Sequence, residues 1–357
     1  MPILPLYGHQ GLRDRLRDAV GRGALPSSLL LHGPRGVGKQ RLGLWLGQLL
    51  LCSGGEPPCG ACQHCRYAGD LCHPDLHWFH PRPRLKDADA SAEDVRDDYA
   101  DAASERLKAG GLYPPSSGSE GIYVATVRAL VQRAAMAPAM ARRKVFLIGD
   151  AERMVQQEGS DAAANAFLKL LEEPPVGTTI IVTSSEPGAL LPTIRSRLVS
   201  VRVPPLGDED VAAFAADPAV ARTLDGERVP AGVEARVRLA GGAPGALLGA
   251  ADRVPALDAA RRMLEAVTRG GEAQRRRVAF AQKTSGARGD FTATLHALTG
   301  LLHHQAREAL RRQDDRLALA ASRGMARVEW AKGLAAGNVN PQLVSARLLG
   351  ELAADFR

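Results

Sequence analysis

Aromatic side chains are scarce: seven Phe, five Tyr and three Trp make up 4% of 357 residues. Proteins that grip single-stranded nucleic acid by base stacking interleave aromatics with basic residues. This chain has no such interleaving, which argues against that mode of binding. Long apolar runs are also missing. A membrane span needs roughly 20 apolar residues, and the longest stretch, 42–51, is broken by Gly47 and Gln48. Residues 1–17 carry charges where a signal peptide needs an apolar segment. A cytoplasmic protein that makes no membrane contact is expected. Cysteine is limited to five residues, and without a secretion signal they do not suggest a disulfide framework.

What is present points to helices and more than one core. Apolar residues make up 45% of the chain, and Ala, Leu and Arg are abundant, all good helix formers. A chain of 357 residues is expected to form two or three domains. The net charge of +7 is unevenly spread: residues 253–357 hold 18 Lys and Arg against 10 Asp and Glu. That excess fits either proximity to nucleic acid or an acidic partner, or a set of solvated Arg-rich helices.

Residues 33–40 read Gly-Pro-Arg-Gly-Val-Gly-Lys-Gln. The phosphate-binding pattern G-x-x-x-x-G-K-[ST] uses backbone N–H groups to wrap a phosphate. Its Lys reaches the outer phosphates and its hydroxyl ligates Mg²⁺. Gly33, Gly36, Gly38 and Lys39 are in place, but Gln40 replaces the hydroxyl. A carboxamide is too long to take the place of a hydroxyl tucked beside the loop. The apolar run 28–32 before the loop reads as a buried strand, and Leu42, Leu44, Trp45, Leu46 and Leu49 after it follow a helical period. Strand, glycine-rich turn and helix is the context the motif requires.

Cys52, Cys59, Cys62 and Cys65 are spaced C-x6-C-x2-C-x2-C. Two successive C-x2-C steps put thiolates on tight turns, and a fourth from the end of the preceding helix completes a tetrahedron. Four thiolates with no open position describe a structural Zn²⁺ site. The spacing differs from the common iron–sulfur runs. Cys72 is left over and reads as a small buried residue; His64 and His73 are nearby substitute ligands.

Residues 145–148 form a second buried-strand candidate, ending at Gly149-Asp150-Ala151-Glu152, where a Walker B strand would present its acids. Residues 161–173 read as an amphipathic helix stopped by Pro174-Pro175, followed by strand 179–183, short helix 191–197 and strand 198–203. Strands alternating with helices argue an α/β parallel sheet. Residues 82–120, with six basic and nine acidic residues, read as a solvated, mobile insertion with a polar helix over 94–107. Pro204-Pro205 marks a boundary. A small helical segment follows to about 252, and residues 253–357 read as five helices in a bundle.

Taken together these residues resemble the bacterial clamp-loader subunits of the AAA+ family. The resemblance rests on the cysteine module placed directly after the phosphate-loop helix. It rests also on Asn165-Ala166-Phe167-Leu168-Lys169-Leu170-Leu171-Glu172-Glu173-Pro174-Pro175, on Thr193-Ile194-Arg195-Ser196-Arg197, and on the order of three domains. It implies a nucleotide-binding-type domain over 1–203 with the zinc module at 52–72, a small helical lid over 204–252, and an all-α collar over 253–357. It further implies a pentameric ring with gamma/tau and delta subunits, which loads the beta sliding clamp onto primer–template DNA. Arg197 would act in trans as an arginine finger at a neighbour's ATP site. A hydrolysing member of this family carries a P-loop Ser/Thr, an Asp-Glu pair and a sensor-2 Arg. The matching positions here are Gln40, Gly149-Asp150 and Gly245. Loss of three stabilising groups implies a non-hydrolysing subunit, while residues 33–39 leave binding of ATP or ADP open. The competing readings are a hydrolysing gamma/tau-type ATPase and a free-standing zinc-containing DNA-binding protein.

Overall fold

The computed structural model describes residues 2–87, 90–114, 120–154, 161–225, 229–282, 288–336 and 339–356. The chain divides into two compact units, Met1–Leu248 and Gly249–Arg357. The first begins with α1 (Gln10–Gly21), β1 (Ser28–His32), α2 (Lys39–Leu51), α3 (Gln63–Gly69) and β2 (Leu76–Phe79). It continues through α4 (Ala92–Lys108), α5 (Val124–Ala135), β3 (Lys144–Ile148), α6 (Asp161–Glu172), β4 (Thr178–Ser184), α7 (Pro192–Arg195) and β5 (Val199–Arg202). Three short helices close it: α8 (Asp208–Ala216), α9 (Pro218–Asp225) and α10 (Val233–Ala240).

The five strands form one parallel sheet in the order β2-β3-β4-β1-β5. Its central strands β3, β4 and β1 are buried almost throughout and apolar in their middles, because both faces are covered. Leu30, Phe146, Ile148, Ile180 and Val182 point into one core with Val127 and Leu130 of α5 and Phe167, Leu170 and Leu171 of α6. The alternate residues Leu29, Leu31, Val145, Leu147 and Ile181 pack on the other face against Leu42, Trp45, Leu46 and Leu49 of α2. The expected strands and helices of this sheet are all present. Strand β2 and helices α1, α3 and α5 were not expected. Strand β2 is short and carries His77 and Trp78 in its middle, so neither period nor composition marks it.

Register gives β2 its importance. Trp78 lies opposite Leu147, and neighbouring residues across a parallel pair share a face. Trp78 therefore sits on the α2 side of the sheet, beside the phosphate loop.

The segment 82–120 is not merely a solvated insertion. Helix α4 has a capping box in which Ser91 and Asp94 satisfy each other's backbone N–H. Its Val95 and Ala102 are buried, and Arg82 pairs with Asp98 at 2.8 Å. Leu112, beyond α4, enters the core of the small helical segment with Leu206, Val211, Phe214, Val220 and Leu224. That segment packs within the first unit, so the break between compact units falls at 248/249.

The second unit contains α11 (Ala250–Thr268), α12 (Glu272–Phe280), α13 (Arg288–Arg311), α14 (Asp315–Ala336) and α15 (Pro341–Asp355). Its core takes Met263 and Val267, Leu295, Leu298 and Leu302, Val328, and Leu348, Leu349 and Leu352. These recur three and four residues apart, as buried helical faces do. Arg327 ties α14 to α15 through Glu351 at 2.9 Å and Asp355 at 2.6 Å.

Asp75, just before β2, is buried and accepts N–H groups from Ala139 (2.6 Å), Met140 (2.8 Å) and Ala141 (2.7 Å). Burial alone would raise its pKa, but the three donors outweigh it and hold the carboxyl below its ordinary range. The folded pKa is depressed, so its stabilising contribution is present above the unfolded value and fades as pH falls through the folded one. Asp75→Asn puts an amide donor among these N–H groups and is expected to destabilise the first unit by about 1–3 kcal/mol near neutral pH. Denaturant melts of variant and wild type should converge as pH drops; an unchanged midpoint at neutral pH contradicts this.

Candidate nucleotide and metal sites

The phosphate loop joins β1 to α2 where the motif requires. Gly36 and Gly38 have φ of 82° and 93°, the left-handed region that glycine adopts freely. Lys39 opens α2 and is buried. Its Nζ donates to the carbonyls of Gly33 (3.0 Å) and Pro34 (2.9 Å) and to Ser185 Oγ (2.8 Å). Burial pushes its pKa down to about 8, against the opposing pull of Asp150 and Glu152. Glu152 is itself raised, first by burial and then by the charge of Asp150, and its Oε1 accepts the Ser185 N–H at 3.0 Å. Ser185 thus links the loop lysine to the acid beyond β3.

Beside the loop, at the eighth motif position, Gln40 is buried, and its Oε1 accepts the indole N–H of Trp78 at 2.9 Å. The carboxamide lies against Gly149. A Cβ on that glycine would stand 2.3 Å from Gln40 Oε1 and 2.4 Å from its Cδ. Gln40 and Gly149 are therefore one arrangement: the long side chain occupies the space an acid at 149 would need. The other side of Trp78 is closed by the segment 82–120. The Arg106 guanidinium lies 4.2 Å from the Trp78 ring centre and 3.9 Å from that of Tyr113. Its Nη2 is 3.0 Å from His80 Nδ1. Burial and then the Arg106 charge hold the His80 pKa well below its ordinary value, so the neutral ring can accept from the guanidinium. Nδ1 is also 3.1 Å from the Pro81 carbonyl, but beside a donor that nitrogen is the acceptor.

The small helical segment touches the loop at the backbone. Gly245 donates its N–H to the Gly36 carbonyl at 2.9 Å. A Cβ at 245 would fall 2.8 Å from Gly36 Cα. The contact tolerates no side chain, and none of the length of arginine.

The four expected cysteines are brought together. Cys52 caps the C-terminus of α2 and Cys62 the N-terminus of α3. All four Sγ atoms lie within 4.8 Å of one another. Cys59–Cys65 and Cys52–Cys62 are each 3.9 Å apart, close to the edge of about 3.8 Å for a tetrahedron with metal–sulfur bonds of about 2.3 Å. Backbone N–H groups of Gly54, Cys62 and Cys65 point at Cys52, Cys59 and Cys62 sulfurs. Against burial, such donors take the Cys62 thiol down to about 5, while burial drives Cys65 upward. The donor set fits one tetrahedral cation. Cys72 is exposed, not buried as expected. His64 and His73 are not substitute ligands but a pair at 2.9 Å. His73 Nδ1 accepts the Asp75 N–H, so its Nε2 carries the hydrogen donated to His64.

Arg197 follows α7. Its Nε donates to Glu172 Oε1 at 2.7 Å, Nη2 donates to the same oxygen, and Nη1 donates to the Thr193 carbonyl at 2.8 Å. None of these partners belongs to the phosphate loop.

Sequence reasoning missed Trp78, Arg106, Ser185 and Glu172 as neighbours of these groups. The contact at Gly149 supplies a test. Gly149→Ala must expel the carboxamide and break its indole hydrogen bond, an expected cost of about 1–3 kcal/mol. Gln40→Ala in the same chain should recover most of it, so a double-mutant cycle should show strong coupling. Additive costs would mean that the two positions do not share this space.

A family model described as DNA polymerase III, delta subunit, matches residues 8–207. A DNA polymerase III subunit delta' of Pseudomonas aeruginosa is 30% identical over 63% of this chain and 55% of its own length. A gamma/tau subunit of Mycobacterium tuberculosis is 30% identical over 54% of this chain and 27% of its own. The match thus spans about half, or less, of these relatives. A gamma-subunit-related protein of Thermotoga maritima aligns over 96% of this chain and 99% of its own, at 16% identity and a TM-score of 0.38. With the family model covering more than half of its length, the chain belongs to the DNA polymerase III delta-subunit family.

Proposed function

We propose that this protein is a delta-prime-type subunit of a bacterial clamp loader, which assembles with gamma/tau and delta subunits and does not hydrolyse ATP itself. The observation that carries the reading is the Gln40 carboxamide, seated on Gly149 under the Trp78 indole. Phosphoryl transfer at a P-loop depends on electrostatic stabilisation by a metal, its hydroxyl and acidic ligands, and cations around the phosphates. Here a neutral amide fills the metal side, and Gly245 stands where the family resemblance expects a phosphate-sensing arginine. Lys39 spends its donors on the loop's own carbonyls and Ser185.

In the assembly the ring would load a beta sliding clamp onto primer–template DNA, and Arg197 would reach a neighbour's ATP site. The cysteine module would hold one structural zinc. Its four thiolates supply no open position, so the ion would fold the module rather than take part in chemistry. The gamma/tau relatives favour a second reading, a hydrolysing subunit, because the glycines and lysine of the loop are intact.

Purified protein should show no ATP turnover above background, and Gln40→Thr alone should not create it, since Gly149 and Gly245 are unchanged. Robust turnover abolished by Lys39→Ala would establish the hydrolysing reading instead. Arg197→Ala should leave the protein assembled but lower DNA- and clamp-stimulated ATPase of the reconstituted ring in part. The loss should be smaller than the roughly 10³–10⁵ of a lone finger, because other sites keep theirs. Unchanged rates would remove the finger from this account. Elemental analysis of chelator-free protein should give one zinc per chain, lost in the Cys59→Ser/Cys62→Ser variant; no zinc, or zinc retained in that variant, overturns the assignment.

A further inference from the structure

We infer that Glu172 is a positioning residue for Arg197, orienting its guanidinium toward a neighbouring subunit; this rests on the reading of Arg197 as a trans-acting finger. Glu172 is the last residue of α6. A carboxylate there faces the negative end of the helix dipole, where a cation would be favoured instead. Its place is accounted for by Arg197, which reaches it from 25 residues further along the chain. Pro174-Pro175 ends the helix, so the carboxylate is fixed at the helix terminus and not on a continuing surface.

The donor count shows what the pair does. A guanidinium has five N–H donors in a rigid plane. Nε and Nη2 each give one to Glu172 Oε1, and Nη1 gives one to the Thr193 carbonyl. The second Nη1 hydrogen reaches Ser196 Oγ at a long 3.4 Å, so among the described residues one N–H, on Nη2, remains uncommitted. The plane is thereby held at two sides while part of its terminal edge stays uncommitted. The side chain keeps 31% of its surface exposed, and that of Glu172 keeps 47%. The pair is therefore on the surface, where a second chain can reach it. An exposed pair contributes little to folding stability. It can still fix the direction of a long side chain that would otherwise sample many rotamers, and misplacement of a phosphate-facing group is costly in rate. Thr193, in α7, and Glu172, in α6, come from two elements that pack into one core through Ile194 and Leu171, so the anchor points are set by the fold.

The test uses the reconstituted ring with Glu172→Ala, Glu172→Gln and Arg197→Ala, singly and combined. Assembly should be unchanged in all. Glu172→Ala should lower stimulated kcat by about 5-fold, the size of a surface ion pair spent on orientation, with KM for ATP little changed. Glu172→Gln should recover most of the rate, because its carbonyl can accept the same two N–H groups. In the Arg197→Ala background, Glu172→Ala should have no further effect. If Arg197→Ala impairs the ring and Glu172→Ala does not, the positioning role is wrong while the finger stands. A further loss in the Arg197→Ala background, or a Gln variant as poor as Ala, also overturns it. A silent Arg197→Ala removes the finger and this inference with it.

Discussion

The close approach of Gln40 to Gly149 is the constraint around which the nucleotide-type site is arranged. The carboxamide can sit there only because position 149 has no side chain. It stays there because Trp78 donates to it from the edge strand β2. Trp78 in turn is held between Gln40 and the guanidinium of Arg106, which comes from α4. One amide oxygen thus connects the phosphate loop, two neighbouring strands and the segment 82–120. Restoring an acid at 149 would disturb all of them, so several substitutions would be needed to rebuild a metal site.

The same economy holds on the loop's other sides. A buried ammonium must find partners or lose its proton. Lys39 finds three, two of them carbonyls of the loop itself. The loop is self-satisfied, and the backbone bond from Gly245 to Gly36 packs the small helical segment directly on it. These contacts stabilise a fixed conformation of a loop whose glycines would otherwise allow many. The loop thus keeps the shape of a nucleotide site while its lysine is satisfied by groups of this chain.

Charge is handled differently in the two units. In the first, half-buried cations are held by specific partners: Arg106 by aromatic faces and His80, Arg82 by Asp98. In the second, arginines are mostly exposed and pair with acids one turn away, as in Arg276–Glu272, Arg311–Glu308 and Arg347–Glu351. Such pairs contribute a few tenths of a kcal/mol each at about i,i+4 spacing. They account for part of the basic surface as solvated helix faces, and they leave the remaining excess of positive charge on the same unit.

The sequence alone determined the elements whose signals are local. The strand–loop–helix around 33–39, the buried strands at 145–148 and 179–183 and the five C-terminal helices were legible because apolar period and glycine placement act over a few residues. The four cysteines were legible because metal-ligand spacing is set by turns. What only the tertiary structure decided were contacts between distant residues. Nothing in the spacing of 40, 78, 106 and 149 says that they meet; sheet order and register do that. The segment 82–120 reads as solvent-facing because its charges dominate its composition, yet Arg106 and Tyr113 lie against Trp78, and Leu112 enters a separate core. Likewise, nothing along the chain pairs Glu172 with Arg197; the packing of α6 beside α7 does. Local period is written along the chain, whereas partnership depends on which strands become neighbours.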